Sequence, residues 1–330
     1  MARYGVLGAT SWGVTIAGLL ERSGNDVVIL TRTAAEAAAV DARRGLERLP
    51  ELRLGARVTA QAAGPGIPLD SVVVAVPAQS LRASIRASHL SHDLPLLSAA
   101  KGIELASGAR MSQVLESEGW APGRIAVLSG PNLAHEVARG LPAASVVASS
   151  SPETARTWQQ ALAGPAFRVY TSADVAGVEL GGALKNVIAI AAGAAWGLEF
   201  GANTVASIMT RGLAEMTRLG VACGADALTF QGLAGVGDLA ATCFSPLSRN
   251  RRFGELLARG RTAAEARAEI GETVEGAATA PVALSLARVL GVDLPITLEV
   301  ARVVAGEATV AGAMAGLLAR PLKGEAAWEH

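Results

Sequence analysis

Apolar, β-branched runs alternate with alanine- and leucine-rich stretches through the first half of this chain. The runs Tyr4–Leu7, Val27–Leu30, Val72–Val76, Leu94–Ala99, Ile125–Leu128, Ser145–Ala148 and Phe167–Val169 read as strands. They are continuously apolar rather than alternating, the pattern of strands covered on both faces. Helical segments, among them Trp12–Arg22 and Glu36–Leu49, lie between several of them. Such alternation predicts a mostly parallel, doubly wound α/β sheet, with either direction open for the last strands. After about Ser172 the pattern turns helical: Asp174 can cap a helix running through Gly181, Lys185 and Ile190. Further helices are expected at Val205–Leu219, Arg249–Leu257, Ala263–Ala268, Ala277–Leu290 and Pro295–Val304. The expected organisation is an α/β domain over residues 1–172 followed by an all-α domain over residues 173–330.

Composition narrows the function. At 330 residues the chain is long enough for two cores. Its formal charge is zero and its basic residues form no tail, so the positive field that nucleic-acid binding needs is missing. The cysteines, Cys223 and Cys243, make neither a disulfide framework nor a metal-ligand spacing, and no metal is expected. The N-terminal residues run directly into a strand-turn-helix pattern rather than a secretory signal. The most membrane-like run, Val187–Gly197, is too short to cross a bilayer. A cytoplasmic protein without membrane insertion is the expectation.

The first strand feeds into Gly8-Ala9-Thr10-Ser11-Trp12-Gly13. A turn here aims a helix N-terminus at a pyrophosphate, with Gly8 making the tight bend and Gly13 permitting close helix–sheet packing. This is a Rossmann-like dinucleotide signature, although Thr10 stands where the middle glycine usually sits. The alternative is a packing turn without a ligand. The second strand ends at Arg32, with no carboxylate to grip a ribose hydroxyl. Arg32 can stack on adenine or pair with a 2′-phosphate, so NADP is expected alongside NAD; the plain alternative is an exposed strand-end arginine. Lys101-Gly102 and Gly130-Pro131-Asn132 follow later strands and fall on the same sheet edge.

Lysine is scarce: only Lys101, Lys185 and Lys323 occur. An ammonium can be desolvated and used for proton transfer, which arginine cannot offer. Lys185 lies in GGALKN, and a second polar group, GVGDLAATC, carries Asp238. Their glycines allow close helix approach, letting Asp238 hold Lys185 and tune its proton affinity. Ser248 can cap a helix beginning at Arg249, a turn suited to phosphate. The structural alternatives are a snorkelling Lys185, a helix-capping Asp238 and merely solvated arginines. The four histidines, His89, His92, His135 and His330, are scattered.

Taken in order, VLGATSWG, KGIE, LSGPNLAHEVARGLP, GGALKNVIAIAAG, GVGDLAATC, SRNRRFG and ETVEG resemble the NAD(P)-dependent glycerol-3-phosphate dehydrogenases of bacteria and archaea over nearly the whole chain. The resemblance implies reversible reduction of dihydroxyacetone phosphate to sn-glycerol 3-phosphate, feeding glycerophospholipid synthesis. It implies Lys185 as general acid/base assisted by Asp238. It also implies substrate contacts from Lys101, Gly130 and Asn132, and a phosphate clamp of Ser248, Arg249 and Asn250. Cofactor contacts are implied for Ser11, Trp12, Arg32, Lys101, Ala134, Arg249 and Glu275. A homodimer is one assembly left open. The chain departs from the family at Thr10, which bears on cofactor affinity, and at Asn132, where many relatives carry serine. Rival accounts are a ketopantoate-type or other hydroxyacid reductase and a dinucleotide sensor without turnover.

Overall fold

The computed structural model describes residues 2–322 and residue 324, so Lys323 and His330 lie outside the described residues. The chain forms two compact units. One comprises the chain up to Lys101 together with Arg110–Glu179; the other comprises Gly102–Ala109 and the chain from Leu180 onward.

The first unit is built on eight strands: β1 (Arg3–Leu7), β2 (Asp26–Thr31), β3 (Val58–Ala62), β4 (Ser71–Val74), β5 (Leu96–Ser98), β6 (Ile125–Ser129), β7 (Ala143–Ala148) and β8 (Phe167–Ser172). They form one sheet in the order β3-β2-β1-β4-β5-β6-β7-β8. Every neighbouring pair is parallel except β6–β7, which places Val127 opposite Ala148. The antiparallel addition left open by the sequence is therefore a single joint. β4 and β6 are buried along their whole length, which explains their unbroken apolar sequence. β3 escapes the apolar pattern because it is an edge strand, VTAQA, with only Val58 fully buried. The helix expected over Glu36–Leu49 spans Ala34–Arg43 instead. Arg44 adopts the left-handed conformation (φ 55°) and ends it, so Leu49 reaches the core from a loop.

β1 and β4 are adjacent, but the strand order runs outward from them in opposite directions. The carboxyl ends of β1 and β4 thus mark a topological switch point, where open α/β sheets bind ligands.

The second unit is helical. Its main helices are Ala202–Ala222, Asp238–Phe244, Arg249–Ala258, Ala263–Ile270, Glu275–Leu290, Pro295–Ala305 and Val310–Leu318. The helix begun near Asp174 is Val175–Gly197, and Asp174 Oδ1 accepts from the Gly177 N–H at 2.8 Å. At 23 residues and mean hydropathy 1.5, it meets the length and composition of a membrane span, which the shorter apolar run in the sequence did not suggest. Its apolar window is 83% buried in the fold, as suits a helix packed on all sides. Near its start, Glu179 accepts from the Ser112 N–H at 2.7 Å and the Ser112 hydroxyl at 2.6 Å, and pairs with Arg110. Burial raises its carboxyl above the usual range, and Arg110 opposes that shift.

Candidate active site

In the first unit, the predicted turn follows β1 and starts the helix Ser11–Arg22. Gly8 has φ 111°, and a Cβ on Gly13 would stand 2.3 Å from the Gly8 carbonyl oxygen. Only glycine suits these two positions. Thr10, by contrast, has φ −84° and ψ 163°, ordinary extended backbone open to any residue. Its hydroxyl donates to the Ala75 carbonyl at 2.7 Å and accepts the Gly13 N–H at 3.0 Å. Thr10 is thus the helix N-cap, and its side chain is tied back against the protein. The N–H groups of Ser11 and Trp12, in the first helical turn, have no intrahelical acceptor and can meet an anion. Trp12 packs its ring toward Phe167, with centroids 6.4 Å apart.

The remaining residues of this unit follow other strand ends. Arg32 lies just beyond β2; its side chain is 89% exposed and is held by a 3.4 Å contact to Glu36. Lys101 lies beyond β5 and donates to the Gly130 carbonyl at 3.0 Å, joining the ends of β5 and β6. Asn132 Oδ1 accepts from the Ser145 hydroxyl at 2.8 Å, so its extra length over serine is braced against β7. Ala134 opens the helix Ala134–Ala138.

In the second unit, Lys185 Nζ donates to Asp238 Oδ1 at 2.6 Å and to Thr242 Oγ1 at 2.7 Å. The pair is buried, with side-chain exposures of 9% and 2%. The Thr242 hydroxyl sends its single proton to the Asp238 backbone carbonyl at 2.6 Å, leaving its lone pairs for the ammonium. Close packing makes the pair reachable: a Cβ on Gly181 would stand 2.5 Å from the Ala234 carbonyl oxygen, at the start of the segment leading to Asp238. Nearby Cys243 is no nucleophile, because burial pushes its thiol up to about 12 despite the opposing charge of Lys185.

Ser248 caps the helix Arg249–Ala258 by accepting the Arg251 N–H at 3.2 Å. Arg249 is half-exposed and pairs with Glu272 at 3.3 Å. Asn250 is buried, and both ends of its amide are engaged: Nδ2 donates to Asn186 Oδ1 at 2.9 Å and Oδ1 accepts from Gly276 N–H at 3.0 Å. Glu275, the first residue of the helix Glu275–Leu290, precedes that Gly276. Of the residues singled out in the sequence, the structure joins Lys185 to Asp238; their further partners, Thr242 for Lys185 and Asn186 for Asn250, were not singled out there. Thr242 was findable, since it lies four residues after Asp238 and so on the same helical face. Asn186 adjoins Lys185, yet nothing local marks its bond to Asn250.

Two family profiles cover this architecture. The NAD-dependent glycerol-3-phosphate dehydrogenase N-terminus matches residues 4–155 and the corresponding C-terminus matches residues 174–315. The chain belongs to the NAD-dependent glycerol-3-phosphate dehydrogenase family. The glycerol-3-phosphate dehydrogenase [NAD(P)+] of Frankia casuarinae is 50% identical over 309 residues, 92% of each chain. That of Corynebacterium jeikeium is 46% identical over 333 residues, covering 98% of this chain and all of the relative. The crystal structure of glycerol-3-phosphate dehydrogenase from Coxiella burnetii superposes with a TM-score of 0.89 at 32% identity, covering 97% of this chain and 99% of that one. Family membership and fold therefore agree over both units.

Proposed function

We propose that this chain catalyses the reversible NAD(P)H-dependent reduction of dihydroxyacetone phosphate to sn-glycerol 3-phosphate, with Lys185 as general acid in reduction and general base in oxidation. The carrying observation is the buried Lys185–Asp238–Thr242 cluster in a chain of this family. Two of the three ammonium N–H groups are committed to Asp238 and Thr242, so the lysine is oriented rather than merely buried.

NAD(P)H would supply the hydride when bound, and the tight turn that Gly8 and Gly13 permit, leading into a helix N-terminus, fits the diphosphate of a dinucleotide. Ser11, Trp12, Gly13, Arg32, Lys101, Ala134, Arg249 and Glu275 are assigned to holding it. As the ketone carbon is reduced, charge builds on its oxygen; Lys185 stabilises that charge and delivers the proton. One hydride and one proton convert the ketone to the secondary alcohol, and the phosphate ester is unchanged. Asp238 holds the ammonium in place. Lys101, the Gly130 backbone and Asn132 orient the substrate.

For the substrate phosphate, Arg249 supplies charge and the capped helix start supplies N–H groups. Asn250 contributes through its backbone and through bracing that start, since its amide is engaged by Asn186 and Gly276. Phosphate binding then serves as a handle that orients the reacting carbon. On this reading the first unit is the dinucleotide-binding domain and the second the substrate and catalytic domain. The enzyme works in the cytoplasm without nucleic acid or membrane insertion, and its product enters glycerophospholipid synthesis.

The test is turnover by the purified chain. NADPH absorbance should fall only when dihydroxyacetone phosphate is added, with sn-glycerol 3-phosphate as product. No substrate-dependent loss, or faster turnover of unphosphorylated keto acids, would overturn the assignment.

A further inference from the structure

The loop after the helix Ala34–Arg43 carries a residue that the proposed chemistry does not yet use. The loop is firmly held: Leu49, Leu52 and Leu54 enter the core, and the Leu54 N–H donates to the Arg44 carbonyl at 2.9 Å. Leu49 N–H donates to the Leu46 carbonyl at 3.1 Å, closing a short turn around Arg48. From this anchored backbone the exposed Arg48 reaches the Gly8–Gly13 turn. Its Nη2 donates to the Ala9 carbonyl at 2.6 Å and its Nε to the Ser11 hydroxyl at 3.1 Å.

We infer that Arg48 is a cofactor-binding residue that engages the diphosphate of NAD(H) and NADP(H). The inference rests on the dinucleotide reading of the first unit and adds a contact to it. Thr10 takes the Gly13 N–H as a cap, which removes one donor from those the helix start can present. A guanidinium carries five N–H donors in a rigid fork; two hold it to the turn, and the rest, with a full positive charge, remain for an anion. The side chain is thereby aimed before the nucleotide arrives, which lowers the ordering cost of binding. Its anchors belong to the turn after β1, whereas the end of β2, where this fold receives a ribose 2′-phosphate, carries Arg32. Arg48 therefore serves both cofactors alike.

The test is the affinity of the full-length protein, wild type and Arg48→Ala, for NADPH and for NADH, by calorimetric titration. Loss of a charge-assisted contact should weaken both about tenfold to a hundredfold, leaving their ratio unchanged. In steady state the loss should fall on the cofactor KM rather than on kcat. Arg48→Lys keeps the charge without the fork and should lie between the two; it supplies the same measurement if the alanine variant does not fold. Unchanged affinities would overturn the assignment, and so would a loss confined to NADPH, which would place Arg48 at the 2′-phosphate. Failure of the wild-type protein to bind either nucleotide would instead reject the dinucleotide reading itself.

Discussion

Glu215 offers a quantitative test of the helical unit. It lies on the helix Ala202–Ala222, fully surrounded, and serves as a long-range cap for the helix Pro295–Ala305. Pro295 has no N–H, and Leu294 provides no side-chain cap. The carboxylate instead accepts from the Ile296 N–H at 2.6 Å, the Thr297 N–H at 3.1 Å and the Thr297 hydroxyl at 2.9 Å. Burial nevertheless dominates, pushing its pKa from 4.5 up to about 7, against the pull of those donors. A raised carboxyl pKa means that the folded protein holds a proton the unfolded chain has released. The resulting stability is fully present below about pH 4.5 and is lost as pH rises through about 7. Between pH 5.5 and 8 the loss is about 2 kcal/mol. Urea denaturation of the wild type and Glu215→Gln at both pH values isolates this contribution, because the other titrating groups are common to both proteins. The wild type should lose about 2 kcal/mol more than the variant over that interval. Equal pH dependence in the two proteins would refute the reasoning.

Other perturbations address the site. Asp238→Ala leaves the Lys185 ammonium buried without its carboxylate; stability should fall by about 3–5 kcal/mol and kcat with it, as measured by chemical denaturation and steady-state turnover. At saturating NADPH, Arg249→Ala should raise KM for dihydroxyacetone phosphate about tenfold to a hundredfold, far more than for unphosphorylated dihydroxyacetone; equal losses would contradict the phosphate clamp. Arg32→Ala should weaken NADPH use several-fold more than NADH use, and an unchanged preference would remove its 2′-phosphate role.

The strands of the first unit were legible because burial on both faces imposes continuous apolar runs, as in SVVV of β4 and IAVLS of β6. The edge strand β3 was not, because only one of its positions needs an apolar side chain. The helix after β2 was read too long: alanine and leucine continue the helical composition past Arg44, while the left-handed turn there is set by tertiary closure of the loop. At the turn itself, glycine spacing exposed Gly8 and Gly13, and the apparent defect at Thr10 becomes a cap once its bond to Gly13 is seen. Lys185 and Asp238 stood out as polar residues within apolar, glycine-rich context. Arg48 and Glu215 did not, since each acts on residues 37 and 81 or more positions away and nothing nearby in the chain marks the partner.

The central claim is that Lys185 exchanges the proton. Rapid-mixing measurement of a single turnover by Lys185→Ala, with NADPH and dihydroxyacetone phosphate both saturating, tests it most directly when paired with NADPH titration of the same variant. The account predicts that the rate of NADPH loss nearly vanishes while NADPH affinity stays close to that of the wild type. A single-turnover rate near the wild-type value would contradict it.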